Sequence, residues 1–155
     1  MIIYTDGSCT GNGKSVNEGG YGVVILDNSE NLLYTYSKRS KNTTNNREEL
    51  KAILYSMLKH SINININKDI NLIPIVYSDS AYCVNTLNEW MFNWAKRGWI
   101  KSDKKTPENL DLIQAYYNWY QKGYRINLKK IKGHAGFKWN EMADKLATGQ
   151  LKPTK

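Results

Sequence analysis

The sequence predicts an α/β protein built on a mixed sheet, and three observations carry that reading. Five short runs rich in β-branched and aromatic residues recur along the chain and are bounded by turn-forming residues. The first three follow one another closely, as in an antiparallel meander, whereas the last two are separated by helical patterns. The length of 155 residues suits one globular domain and buries enough surface to fold without disulfides or structural metals.

Taken in order, Ile2–Thr5 is a strand closed by the turn Asp6-Gly7-Ser8, and Gly11–Gly20 is a glycine-bearing polar loop. Tyr21–Leu26 (YGVVIL) is a buried strand, joined through Asp27–Asn31 to its neighbour Leu32–Lys38. A long helix follows. Asn45 can cap it, Glu48 stands three residues later as a capping-box partner, and Leu50, Ile53, Leu54, Met57 and Leu58 form its apolar stripe. The alternating Ile/Asn stretch within 61–71 reads as a polar connection. Leu72–Ser78 is the next strand and stops at Asp79. Two short helices, Ala81–Leu87 and Glu89–Lys96, end near Gly98, and Glu108–Gln121 is framed by Pro107 before it and Gly123 after it. Arg125–Ile131 is the last strand, Gly133–Gly136 a loop, and Asn140–Thr148 the final helix. Residues 150–155 form a short basic tail expected to be disordered.

No stretch approaches the roughly 18 apolar residues of a membrane span, and no signal-peptide pattern opens the chain. Cys9 and Cys83 lie far apart with no paired spacing, so a reducing, cytoplasmic setting is expected. The net charge of +8 is concentrated in two tracts. From Trp94 to Lys105, Lys96, Arg97, Lys101, Lys104 and Lys105 face one acid, Asp103, for a net +4. From Gln121 to Lys138 there are six bases and no acid, so the rest of the chain carries −2. Such tracts suit a polyanion such as nucleic acid, or simply a solvated face. Trp90, Trp94 and Trp99 beside the first tract could stack on sugars and bases, or could anchor a core.

Four carboxylates carry the chemistry. Asp6 and Asp79 each close a strand, Glu49 lies in the first turn of the long helix, and Asp144 lies in the last helix. If the two strands are parallel neighbours, Asp6 and Asp79 stand side by side at the sheet edge where sites form in open α/β sheets. Clustered carboxylates repel, and hard divalent cations relieve the repulsion; an all-oxygen set favours Mg²⁺ or Mn²⁺ over zinc. Singly, each acid reads as an exposed turn or helix-terminus charge.

Together, the strings YTDGS, TTNNREEL, VYSDSAY, KGHAG and NEMADKLA resemble the five sequence blocks of ribonuclease H type 1, in order, from about Ile2 to Thr148. The tract from Asn88 to Leu112 is similar to the basic protrusion and following helix of the bacterial single-domain enzymes. No additional N-terminal hybrid-binding domain is expected. The resemblance implies a ribonuclease H-like fold for residues 1–149: a five-stranded sheet, three strands antiparallel and then two parallel, with helices on both faces and a protrusion at about 88–106. It also implies endonucleolytic hydrolysis of the RNA strand of RNA:DNA hybrids, leaving 3′-hydroxyl and 5′-phosphate ends, by a monomer. The family's acids fall on Asp6, Glu49, Asp79 and Asp144; Glu49 is chosen over Glu48 because it directly precedes the leucine. In the family the first Asp bridges two Mg²⁺ ions, Mn²⁺ being an alternative. The Glu and second Asp hold the nucleophile-side ion, and the last Asp the leaving-group side. His134 matches a histidine that assists proton transfer or product release, whereas His60 is read as structural.

Family positions that read the hybrid match Cys9, Asn12, Asn45 and Asn46, with Glu141 an acid near the site. Thr44 and Asn109 match a phosphate pocket for the DNA strand, and Trp90 matches an aromatic in the DNA channel. Lys96, Arg97, Trp99 and Lys101 of the protrusion complete the expected substrate contacts. Two departures stand out: the glycine-rich turn TGNGKSVNEGGYG is longer than usual and lacks the family's prolines, and Ala81 stands where the family often has Gln. The acids show no departure, which argues against a non-cutting binding module of the same fold.

Overall fold

The computed structural model describes residues 1–11, 17–132 and 137–155. A five-stranded sheet runs in the order Leu32–Lys41, Glu18–Leu26, Ile2–Thr10, Ile75–Ser78 and Asn127–Lys130. β1 (Ile2–Thr10), β2 (Glu18–Leu26) and β3 (Leu32–Lys41) form the antiparallel meander, and β5 (Ile75–Ser78) and β7 (Asn127–Lys130) join β1 in parallel. The expected mixed sheet is therefore present, with three antiparallel strands and then two parallel ones.

Alternation along the strands sorts the side chains onto two faces. Ile3, Val23, Ile25 and Val76 point into the main core, where α1 (Asn45–His60), α2 (Ala81–Asn85), α3 (Met91–Lys96) and α4 (Leu110–Gln121) contribute Leu50, Ile53, Met57, Cys83, Met91 and Ile113. Val24 and Leu26 point to the other face, covered by Ala143 and Leu146 of α5 (Lys138–Thr148). Helices thus lie on both faces.

Several boundaries differ from the sequence reading. β1 does not stop at Asp6: Asp6 through Thr10 stay paired with β2, down to Thr10 opposite Glu18. That pairing also absorbs part of the expected loop. The cap of α1 is Thr44 rather than Asn45; its side chain accepts from the Arg47 amide, so Glu48 falls one position too late to close a capping box. α2 and α3 run into each other through a wide π turn at Thr86–Trp90. The Ile/Asn stretch supplies a two-residue strand, β4 (Ile62–Asn63), paired with β6 (Tyr124–Arg125). The tail expected to be disordered runs back to β3 instead, where the Thr35 amide donates to Thr154 Oγ1 at 2.8 Å and the Thr154 amide to Thr35 Oγ1 at 3.0 Å.

Candidate active site

The parallel pairing of β1 with β5 ends at Tyr4 opposite Tyr77. Two residues along the chain beyond that last pair stand Asp6, still within β1, and Asp79, just after β5. Because two residues is the period of a strand, Asp6 keeps the orientation of Tyr4, whose ring stacks on Tyr77 with centroids 5.1 Å apart, while Asp79 lies one residue past the end of β5. Past Tyr4 and Tyr77 the two strands no longer pair, so groups from either face of the sheet can meet beside Asp6.

Two glycines bring the helices to that place. A side chain on Gly7 would lie 2.3 Å from the Glu49 amide nitrogen, so only glycine lets the first turn of α1 press on β1 and set Glu49 beside Asp6. Asp6 is paired with Gly22 on β2, and a side chain there would lie 2.4 Å from the Ala143 carbonyl of α5. Glycine at 22 seats α5 against the strand beside Asp6, with Asp144 one residue along. Asp79 leads into α2, whose cap Ser80 accepts from the Cys83 amide at 3.1 Å. Ligand atoms of Asp6, Glu49 and Asp79 lie within 4.8 Å of one another. Asp144 lines the same open cavity of about 240 Å³, with Gly7, Asn45, Asn46 and Ser80.

The arrangement is electrostatically uncomfortable. Asp6 and Glu49 are buried, Asp79 only partly. Burial pushes the Asp6 carboxyl up to about 7, with Asp79 and Asp144 adding repulsion. Burial, and then the neighbouring Asp6, raise Glu49 well above the usual carboxylate range. Among the described residues the ion pairs are Arg47–Asp111, Lys51–Glu48 and Lys101–Asp103, so none neutralises the cluster. Glu49 Oε2 is buried with no hydrogen-bond donor among them. Converging oxygens, an orphaned buried acceptor and no basic partner fit a hard divalent cation.

The other expected site residues divide into groups. Asn45 and Asn46 line the carboxylate cavity. Cys9 lies on β1 with its thiol donating to the Thr43 carbonyl at 3.5 Å, and Thr44 is occupied as the helix cap. Glu141 is exposed in the first turn of α5. Asn109 adopts φ 59° ahead of α4, where its carboxamide donates to Tyr82 Oη at 3.1 Å and accepts from Arg47 at 3.4 Å. Trp90 and Lys101 line a second cavity of about 220 Å³ with Tyr82, Trp94 and Glu108. Trp99 instead packs edge-on against Tyr117 in the main core, and Lys96 and Arg97 are exposed. Asn12 and His134 lie outside the described residues. His60 meets Tyr34 Oη at 2.5 Å on the far end of α1, in a structural setting.

Sequence reasoning missed Ser80, Gly7 and Gly22. Ser80 could have been found as a capping serine directly after an acid that ends a strand. The glycines gave no local signal, because their need arises from helices distant in sequence.

Comparison with known proteins adds a name to this geometry. The family model described as RNase H matches residues 1–152. Ribonuclease H of Thermoanaerobacter sp. (strain X514) is 39% identical over 158 residues, covering 97% of this chain and 88% of the relative. Among solved structures, LC9-RNase H1, described as a type 1 RNase H with the type 2 active-site motif, superposes with a TM-score of 0.74 at 28% identity, over 99% of this chain and 74% of that one. The foamy viral protease-reverse transcriptase in complex with RNA/DNA hybrid shares the fold at a TM-score of 0.79 and 20% identity, over 96% of this chain and 19% of that one. An α/β sheet with aspartates just past the last parallel pair of its two central strands, and a match along nearly the whole chain, place this protein in the ribonuclease H family, as an endoribonuclease of type 1.

Proposed function

We propose that this chain hydrolyses the RNA strand of RNA:DNA hybrids with two Mg²⁺ ions, Mn²⁺ substituting, and leaves 3′-hydroxyl and 5′-phosphate ends. The observation that supports it most is the convergence of Asp6, Glu49 and Asp79 within 4.8 Å, with Asp144 on the same cavity wall. Asp6, Glu49, Asp79 and Asp144 would hold the ions. Bound there, divalent cations lower the pKa of an attacking water and stabilise the departing 3′-oxygen.

The chain's own residues do the rest. Rigid strands and a glycine-seated helix fix the carboxylates, so little reorganisation is needed when charge develops on the phosphate. Asn45 and Asn46, exposed or half-exposed at the cavity rim, offer carboxamides that donate to and accept from a ribose 2′-hydroxyl in the shallow minor groove. Cys9 is a small contact next to Thr43, Asn12 a third carboxamide, and Glu141 an acid that approaches the substrate from α5. Thr44 and Asn109 take a DNA-strand phosphate, Trp90 packs on DNA sugars, and Trp99 holds the protrusion in place while Lys96, Arg97 and Lys101 meet phosphates. His134 moves a proton or helps product leave. The protein works as a monomer in the cytoplasm, consistent with two free cysteines and with no described helix long and apolar enough to cross a membrane.

Incubation of end-labelled hybrid, matched double-stranded RNA and matched double-stranded DNA, with Mg²⁺ and with EDTA, tests this. Cutting confined to the hybrid and abolished by EDTA is the predicted result. Intact hybrid at stoichiometric protein overturns the reading, and equal cutting of all three duplexes overturns its specificity.

A further inference from the structure

Thr43, immediately before the cap of α1, is buried and engaged on every polar atom. Its amide donates to Asn17 Oδ1 at 2.8 Å and its carbonyl accepts from Asn17 Nδ2 at 3.1 Å, so one carboxamide grips the backbone on both sides of a single residue. The Asn42 amide adds a bond to the Asn17 carbonyl at 3.1 Å. Thr43 Oγ1 donates to Glu48 Oε2 at 2.7 Å, and the same oxygen pairs with Lys51 Nζ at 2.7 Å. Glu48 is fully buried although it stands one residue from the cluster acid Glu49. The Thr43 methyl fills the space above Gly19, where a side chain would lie 2.6 Å away. The Cys9 thiol completes the set by donating to the Thr43 carbonyl at 3.5 Å.

Three separate segments meet in this knot: β1 at Cys9, the end of the lengthened glycine-bearing loop at Asn17, and the entry to α1 at Thr43. Resting on the hybrid-cutting reading above, we propose that Asn17, Thr43 and Glu48 form a positioning hub that sets the substrate-reading residues Cys9, Asn45 and Asn46 relative to one another. The hub acts through Thr43. Moving that residue shifts the Thr44 cap, and with it the first turn of α1 that carries Asn45 and Asn46 to the cavity rim. Asn17 and Thr43 satisfy one another within this network, whereas Glu48 Oε1 is buried without a donor among the described residues, so removing Asn17 or the Thr43 hydroxyl relaxes the knot and is felt at the rim as a change of position. Asn17, directly ahead of β2, thus carries a buried carboxamide to the residue before the helix cap. The hub's consequence is substrate discrimination, expressed in KM and in preference for hybrid over double-stranded RNA; Glu49 is held separately, by the close approach of its amide to Gly7 on β1, so the bond-breaking step is little changed.

The test compares the full-length parent with Asn17→Ala, Thr43→Val and Thr43→Ser. Cleavage of the hybrid is followed at saturating Mg²⁺, and binding of hybrid and double-stranded RNA by fluorescence anisotropy in EDTA. Asn17→Ala and Thr43→Val should raise KM about tenfold and reduce the binding preference for hybrid similarly, a factor that matches the net worth of one hydrogen bond, with kcat within about twofold. Thr43→Ser keeps the hydroxyl that reaches Glu48 and should restore KM; a merely structural loss would not be rescued so selectively. If Thr43→Val melts before assay temperature, the two Asn17 variants Asn17→Ala and Asn17→Ser carry the same comparison. A fall in kcat at unchanged KM, or unchanged kinetics in folded variants, overturns the hub. A parent that fails to cut hybrid overturns the activity reading alone, and the anisotropy arm then decides the hub: unaltered preference in the variants, or no preference in the parent, overturns it.

Discussion

Asp6 serves two demands that conflict when no cation is present. Its position beside Glu49, Asp79 and Asp144 suits ion binding, yet burial pushes its carboxyl up to about 7. In the folded state Asp6 therefore prefers to be protonated, and in the unfolded state it ionises near its ordinary value of 3.8. A raised carboxylate contributes stability below the unfolded value and loses it as pH climbs to the folded one. Thermal unfolding in EDTA should accordingly show Tm falling from about pH 4 to about pH 7 and levelling above it. Asp6→Asn removes the charge while keeping the shape, so it should raise Tm at pH 8 in EDTA and flatten that slope. The same variant should lose at least about 100-fold in Mg²⁺-dependent activity, the upper end of what a supporting partner of a metal ligand costs. A variant as active as its parent, or a pH profile that rises, would show that this carboxylate does not sit in the repulsive cluster described here.

The elements matter through where they touch. α5 rests on β2 at Gly22, and Gly22→Ala would force the Ala143 carbonyl and Leu146 side chain outward. Overpacking of this kind destabilises by about 1–3 kcal/mol. Activity measured well below the melting temperature should fall further than that, because Asp144 moves with the helix; a variant that loses stability and keeps full activity would separate α5 from the site. The protrusion is tested by salt. Replacing Lys96, Arg97, Lys104 and Lys105 by alanine should reduce the slope of log Kd against log salt by up to about 0.9 for each phosphate contact removed. Lys101 is half-buried and 3.9 Å from Asp103, which offsets part of its charge towards phosphate, so its replacement should change the slope by less than that of an exposed lysine. An unchanged slope in the quadruple variant would leave this tract as a solvated face.

At the scale of the molecule, the sequence was most informative where local pattern and burial agree. Val23 and Ile25 alternate with Val24 and Leu26 between two cores, and the stripe of α1 faces one of them, so the sheet and its long helix were legible. Less legible were features decided by a distant partner. β1 runs past Asp6 because β2 is there to pair with it, although Asp6-Gly7-Ser8 reads locally as a turn. The Ile/Asn stretch makes a strand only where Tyr124 and Arg125 lie against it, and the tail is held by Thr35. The acids stood out because a family pattern marks them. The glycines that bring them together, and the Asn17–Thr43–Glu48 knot beside them, were silent because their partners are far apart in the chain.

The reaction chemistry offers the sharpest check on the whole account. A hybrid labelled separately on its RNA and DNA strands is incubated with the protein and Mg²⁺, and the new ends are identified by their reactivity towards kinase and phosphatase. Water delivered at a carboxylate-held cation site predicts cuts in the RNA strand alone, with 5′-phosphate and 3′-hydroxyl ends. RNA products ending in a 2′,3′-cyclic or 3′-phosphate would mean that the 2′-hydroxyl is the nucleophile, and cleavage of that kind persisting in EDTA would contradict the role given to Asp6, Glu49, Asp79 and Asp144.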